Sequence, residues 1–133
     1  MKPTRVAAAA AVALATIGAL RLAQAQQPGF KRTELQRHDL GVQGREVVQA
    51  RADFDQGASI GKHTHPGEEI GYLLEGSLEV QIEGKPATTL KAGDVFFVPA
   101  GTVHQAKNVG SGAARVLATY LVEKGKPLAS MMK

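Results

Sequence analysis

The chain has 133 residues, enough for one domain, and its 44% hydrophobic and 21% charged residues are a globular composition rather than a disordered or collagenous one. It contains no cysteine, which excludes a disulfide scaffold, a cysteine-ligated zinc finger, an ordinary iron–sulfur cluster and a thiol nucleophile. The formal net charge of +4 invites a nucleic-acid reading only if the charge sits in the folded part.

It does not. The first residues read MKPTRVAAAAAVALATIGALRLAQAQQPGF. Lys2 and Arg5 form a positive start, residues 6–20 are mostly apolar, and Ala23-Gln24-Ala25 puts small residues where a signal peptidase reads. The apolar run ends at Arg21, too short to cross ~30 Å of hydrocarbon comfortably. With no cysteine for lipidation and no twin arginine, the expectation is a Sec-type signal peptide over residues 1–25, cleaved after Ala25. The protein is then periplasmic or secreted. Residues 26–133 keep 13 basic and 12 acidic residues, a net of +1, and 41 of 108 are hydrophobic. The basic residues are scattered and aromatics are few, so nucleic acid is disfavoured as a partner. No second apolar span exists, so neither is a membrane expected after cleavage.

Residues 26–39 read as a lead-in segment, loose through about Arg32 around Pro28-Gly29. Residues 46–50 and 51–54 are strand-like, as are residues 70–74. Residues 78–83, LEVQIE, alternate apolar and polar as a half-buried antiparallel strand does. Gly84-Lys85-Pro86 breaks that run and residues 87–90 return. Residues 95–98 are a continuous apolar run, and residues 116–122 form the last strong one. Residues 124–133 read as a tail. Short strands between recurrent glycines, with no helical periodicity, predict an all-β sandwich or barrel over residues 40–123.

Four histidines occur: His38, His63, His65 and His104. His63 and His65 lie two apart on a strand candidate, so their imidazoles share a face. Pro66-Gly67 turns the chain and Glu68-Glu69 opens the next strand, which can set a carboxylate beside the pair. His104 follows the turn at Pro99-Ala100-Gly101. Three imidazoles and a carboxylate meeting inside a barrel can bind a divalent first-row metal.

At these residues the chain resembles the cupin superfamily. The segment GASIGKHTHPGEEIGYLLEG puts Gly57, His63, His65, Glu69 and Gly76 in register with the first cupin motif. The segment GDVFFVPAGTVHQAKN puts Gly93, Pro99, Gly101, His104 and Asn108 in register with the second. The resemblance implies a small antiparallel, jelly-roll-like β-barrel (a double-stranded β-helix) with a metal at its centre, held by His63, His65, Glu69 and His104. It also implies a homodimer. Glu69 has a second role open to it, as a base beside the metal. Glu68 falls on the opposite strand face, and His38 lies outside both motifs. Strand parity points Lys62, Tyr72 and Gln105 away from the site, and brings Gly71, Leu73 and Ala106 toward it. All-nitrogen and oxygen ligation suits Fe²⁺, Mn²⁺, Ni²⁺, Co²⁺ or Zn²⁺.

The expected function is metal-dependent chemistry on a small organic molecule. Dioxygenase chemistry like that of quercetinase-type cupins is its sharpest form, with isomerase and lyase chemistry beside it. The alternative is a non-catalytic module that binds a sugar or other small molecule. A structural or storage role has no use for four intact ligands.

Overall fold

The computed structural model describes residues 27–133; the expected signal peptide over 1–25 lies outside them. The described residues form ten strands and no helix. In chain order these are β1 Phe30–Asp39, β2 Arg45–Phe54, β3 Ser59–Thr64, β4 Gly67–Glu75, β5 Ser77–Ile82, β6 Thr88–Lys91, β7 Val95–Val98, β8 His104–Asn108, β9 Ala114–Glu123 and β10 Ser130–Met131. They make two five-stranded antiparallel sheets, β1-β2-β9-β4-β7 and β10-β3-β8-β5-β6. This is the expected all-β, jelly-roll-like barrel.

Alternation builds the core. Along β9, Ala114, Val116, Ala118, Tyr120 and Val122 are buried, and the residues between them face outward. β2 does the same with Val48, Ala50, Ala52 and Phe54. Leu73, Leu78, Val80 and Leu90 close the core from the other strands. Gly57, Gly76 and Gly93 take φ of 75°, 84° and 95°, as their places in tight turns require.

Three expectations change. Residues 46–50 and 51–54 are one uninterrupted strand, β2. The lead-in segment 26–39 is not loose beyond Gly29: β1 pairs along β2 from Phe30 to Asp39. The tail 124–133 also joins the fold, because β10 pairs with β3, Ser130 opposite Thr64 and Met131 opposite His63. The barrel therefore extends past residues 40–123 at both ends. Polar alternation on β1 hid the first strand, since only Phe30, Arg32 and Thr33 are even half-buried there.

Candidate metal centre

Register brings the donors together. His63 on β3 lies directly opposite His104 on β8, and their ring centroids are 4.1 Å apart. His65 sits just past β3, its ring 4.8 Å from that of His63 and 4.9 Å from that of His104. The three histidines are buried, and their ligand atoms lie within 4.8 Å of one another. Glu69 on β4 is also buried, and its Oε2 is 3.0 Å from Nε2 of both His65 and His104.

Two local features allow this. A bulge between Ile60 and His63 breaks the β3–β8 register, so Ile60 and His63 both face inward although three positions apart. At Gly67 the chain passes so close to β9 that an added Cβ would lie 1.8 Å from the Leu121 carbonyl oxygen. Only glycine lets the chain turn there between His65 and Glu69.

Each imidazole is oriented by its other nitrogen. Nδ1 of His63 donates to the Gly61 carbonyl at 2.7 Å, Nδ1 of His65 to Leu128 at 2.7 Å, and Nδ1 of His104 to Thr102 at 2.9 Å. A carbonyl can only accept, so each neutral ring carries its proton on Nδ1 and turns a lone pair inward on Nε2. Two of these lone pairs then face the Glu69 carboxylate, another acceptor, at 3.0 Å. His65 Nε2 has no hydrogen-bond partner despite its burial. Acceptors converging in a buried space require a proton or a metal ion between them. The donor set thus fits a divalent metal ion held by nitrogen and oxygen.

The electrostatics agree. Burial, then the nearby His104 charge, push the His63 pKa down to about 3, so this ring stays neutral. In the metal-free site burial tends to raise the Glu69 pKa, but the His104 and His65 rings, which donate to the carboxylate when doubly protonated, outweigh it and hold the carboxyl well below its usual range. Burial, with the Glu69 charge adding to it, raises the Tyr120 phenol, which stays protonated.

The centre opens on a narrow cavity of about 30 Å³. Ala52, Ile60, Leu78, Val80, Ala106 and Val116 give it apolar walls, and Phe30 and Phe96 lie half-buried against it. Arg32 and Tyr120 are its polar members beside His63, Glu69 and His104. A separate open groove of about 470 Å³, lined by Lys62, Lys85 and Lys133, reaches His104 but none of the other three site residues.

Of the residues expected at the site, His63, His65, Glu69 and His104 converge. Leu73 is buried, and Ala106 lines the cavity. At Gly71 a Cβ would lie 2.1 Å from the Phe96 ring, so this glycine makes the place for that ring. Glu68 faces outward and pairs with Arg45 at 3.1 Å. His38, Lys62 and Tyr72 are exposed, and Gln105 bonds to Gln81 at 2.9 Å. Asn108 holds no place in the centre. Its amide donates to the carbonyls of Phe54, Asp55 and Gly112 and its Oδ1 accepts from the Gly110 N–H, which ties loops together. Sequence parity missed Tyr120, Arg32 and the Leu128 carbonyl. Tyr120 was legible in principle, as an inward position of an alternating strand; the other two depend on pairing at the ends of the chain.

A small β-barrel that brings three histidines and a carboxylate together belongs to a class whose centre could hold a metal ion. The Cupin domain family model matches residues 50–120. The chain belongs to the cupin family. It is 41% identical over 85 residues to germin-like protein subfamily 2 member 2 of Arabidopsis thaliana, covering 60% of this chain and 39% of that protein. It is 38% identical over 74 residues to an oxalate-binding protein of Thermotoga maritima, covering 55% of this chain and 60% of that one. Among solved structures it resembles oxalate oxidase in complex with the substrate analogue glycolate. That match has a TM-score of 0.63 and 28% identity, and covers 77% of this chain and 54% of the other. The chain spans less than two thirds of the length of each of these proteins.

Proposed function

We propose that this protein is an exported metal-dependent cupin that takes a small organic acid into its barrel and directs oxygen chemistry on it. The observation that carries this is the lock on the three imidazoles: every Nδ1 is committed to a carbonyl, and the ligand atoms of the three rings converge within 4.8 Å of one another. In this reading His63, His65, Glu69 and His104 are the ligands. Fe²⁺, Mn²⁺, Ni²⁺, Co²⁺ and Zn²⁺ all suit the set. The bound metal would supply Lewis-acid polarisation of a substrate oxygen and, if redox-active, a meeting place for substrate and O₂. The protein does the rest. Carbonyls hold the rings in place, Tyr120 keeps its proton beside Glu69, and the apolar walls exclude water.

Size narrows the ligand. One water needs roughly 10–15 Å³ of such space. A cavity of about 30 Å³ has room for roughly two or three water-sized groups and so excludes a polycyclic flavonol. The relatives named for oxalate and glycolate support a small organic acid. The Thermotoga maritima relative is named for binding, which supports a second reading, a non-catalytic acid-binding module. One experiment separates them. The protein loaded in turn with Mn²⁺, Fe²⁺ and Zn²⁺ is given oxalate or glycolate, and oxygen uptake and binding heat are measured. Uptake with a redox metal supports the enzyme, heat without uptake supports the module, and neither overturns both.

Export and self-association belong to the same proposal. N-terminal sequencing of protein recovered from outside the cytoplasm tests export: a chain starting at Gln26 supports it, and one retaining residues 1–25 overturns it. A homodimer finds support in an exposed apolar strip on the outer face of β4 and β7.

A further inference from the structure

We propose that Arg32 is the anion anchor of the cavity: its guanidinium takes the carboxylate of the bound acid and so selects acids over neutral molecules of the same shape. The inference rests on the small-acid reading above and assigns the residue that recognises the acid.

Register places Arg32. It lies on β1 directly opposite Ala52, an inward, buried position of β2, and its neighbour two positions back, Phe30, lies opposite the buried Phe54. Arg32 therefore projects into the barrel from an otherwise exposed strand. The small side chain of Ala52 leaves it room. Its Cζ sits 5.3 Å from the Phe30 ring centroid and 5.7 Å from that of Tyr120, so two rings brace the guanidinium.

What Arg32 lacks is an acidic partner; the polar group beside it is the Tyr120 phenol. It enters none of the ion pairs among the described residues. Its Nε is buried and has no hydrogen-bond partner there. A surface arginine loses nothing by this, because water serves it. A guanidinium with a dry, unpaired Nε lining a cavity is a site waiting for an acceptor. Guanidinium presents two parallel donors that match a carboxylate in its own plane.

Charge points the same way. Three neutral imidazoles, one carboxylate and a divalent ion leave +1, and Arg32 makes it +2. The cavity walls otherwise carry no charge. An acid with one carboxylate on Arg32 lowers this excess, and a second carboxylate toward the imidazoles cancels it; a neutral ligand does neither. A merely structural arginine braced by rings predicts the same glycolate affinity with or without its guanidinium.

The test uses Zn²⁺-loaded protein, which binds without oxygen turnover, with glycolate and its neutral counterpart glycolamide as calorimetric probes. Wild type is expected to bind glycolate at least tenfold more tightly than glycolamide. Arg32→Met keeps the apolar stem against the rings and should lose at least tenfold in glycolate affinity, with zinc content and glycolamide affinity unchanged. Arg32→Lys, a point charge without the fork, should fall between. Wild-type affinity for glycolate in the Met variant overturns the anchor while leaving the small-acid reading intact. Wild type that binds neither glycolate nor oxalate overturns both. Should the Met variant lose zinc or fail to fold, the Lys variant decides. A several-fold loss for glycolate alone supports the anchor, and wild-type affinity overturns it.

Discussion

His63 and Glu69 give the metal-free site a one-directional response to acid. His63 titrates near 6.5 in an unfolded chain but near 3 in the fold. Below pH 6.5 the unfolded chain therefore gains a proton that the native protein does not, and stability falls as pH drops toward 3. The depressed Glu69 acts in the same direction below its usual 4.5. Chemical denaturation of the metal-free protein should show on the order of 2 kcal/mol lost from pH 6.5 to 4.5 through His63 alone. His63→Leu should flatten that part of the profile; an equally steep profile in the variant would assign the effect elsewhere. Asn108 makes a different residue-scale prediction. Asn108→Asp keeps the shape but loses the donors that serve three carbonyls, and should cost about 1–3 kcal/mol in the same measurement without changing metal content in the folded protein. The motif spacing made Asn108 conspicuous in the sequence, yet only its contacts show a loop clamp. Residue identity fixes donor chemistry, whereas the role follows from which carbonyls lie near.

At the scale of elements, close approaches of backbone and ring position the site. Gly67 and Gly71 both begin as inward positions of β4, but they face different obstacles. A Cβ at Gly67 would strike the Leu121 backbone, which cannot yield without moving β9; at Gly71 it would strike the side chain of Phe96, which can rotate away. Gly67→Ala should therefore destabilise more than Gly71→Ala, for which about 1–3 kcal/mol is expected. Thermal unfolding of the two variants gives the order. Similar small losses in both would refute the packing argument. The C-terminal strand offers the complementary test. Removing residues 128–133 deletes β10 and the Leu128 carbonyl that orients His65. Loss of such an orienting partner typically costs about 10–100-fold in metal affinity. Competition with a chelator should detect that loss while circular dichroism still reports the barrel. Here the sequence was least legible. β5 announces itself by alternation and β4 and β9 by their apolar residues, but β10 is two residues long and β1 is mostly polar, so only tertiary pairing makes either a strand.

For the molecule as a whole, the open question is what covers the outside of the first sheet. Ile70, Tyr72 and Leu74 on β4 and Val95 and Phe97 on β7 are all about half exposed or more. They are not scattered. Ile70 pairs with Phe97 and Tyr72 with Val95, so four of the five form two adjacent cross-strand pairs on one face. Contiguous exposed apolar surface of this kind commonly marks an interface. The strip borders β7, an edge strand, so a second copy would cover the apolar face and the edge together. Charge leaves this face free to associate, because residues 26–133 carry only +1. If two copies meet here, Tyr72→Asp and Phe97→Asp together should convert a dimer to a monomer in light scattering. Metal content should stay the same, because both side chains point away from Glu69 and the cavity. A double variant that remains dimeric would place the interface on another face. A wild type that is monomeric at every concentration would instead leave the strip to a different partner.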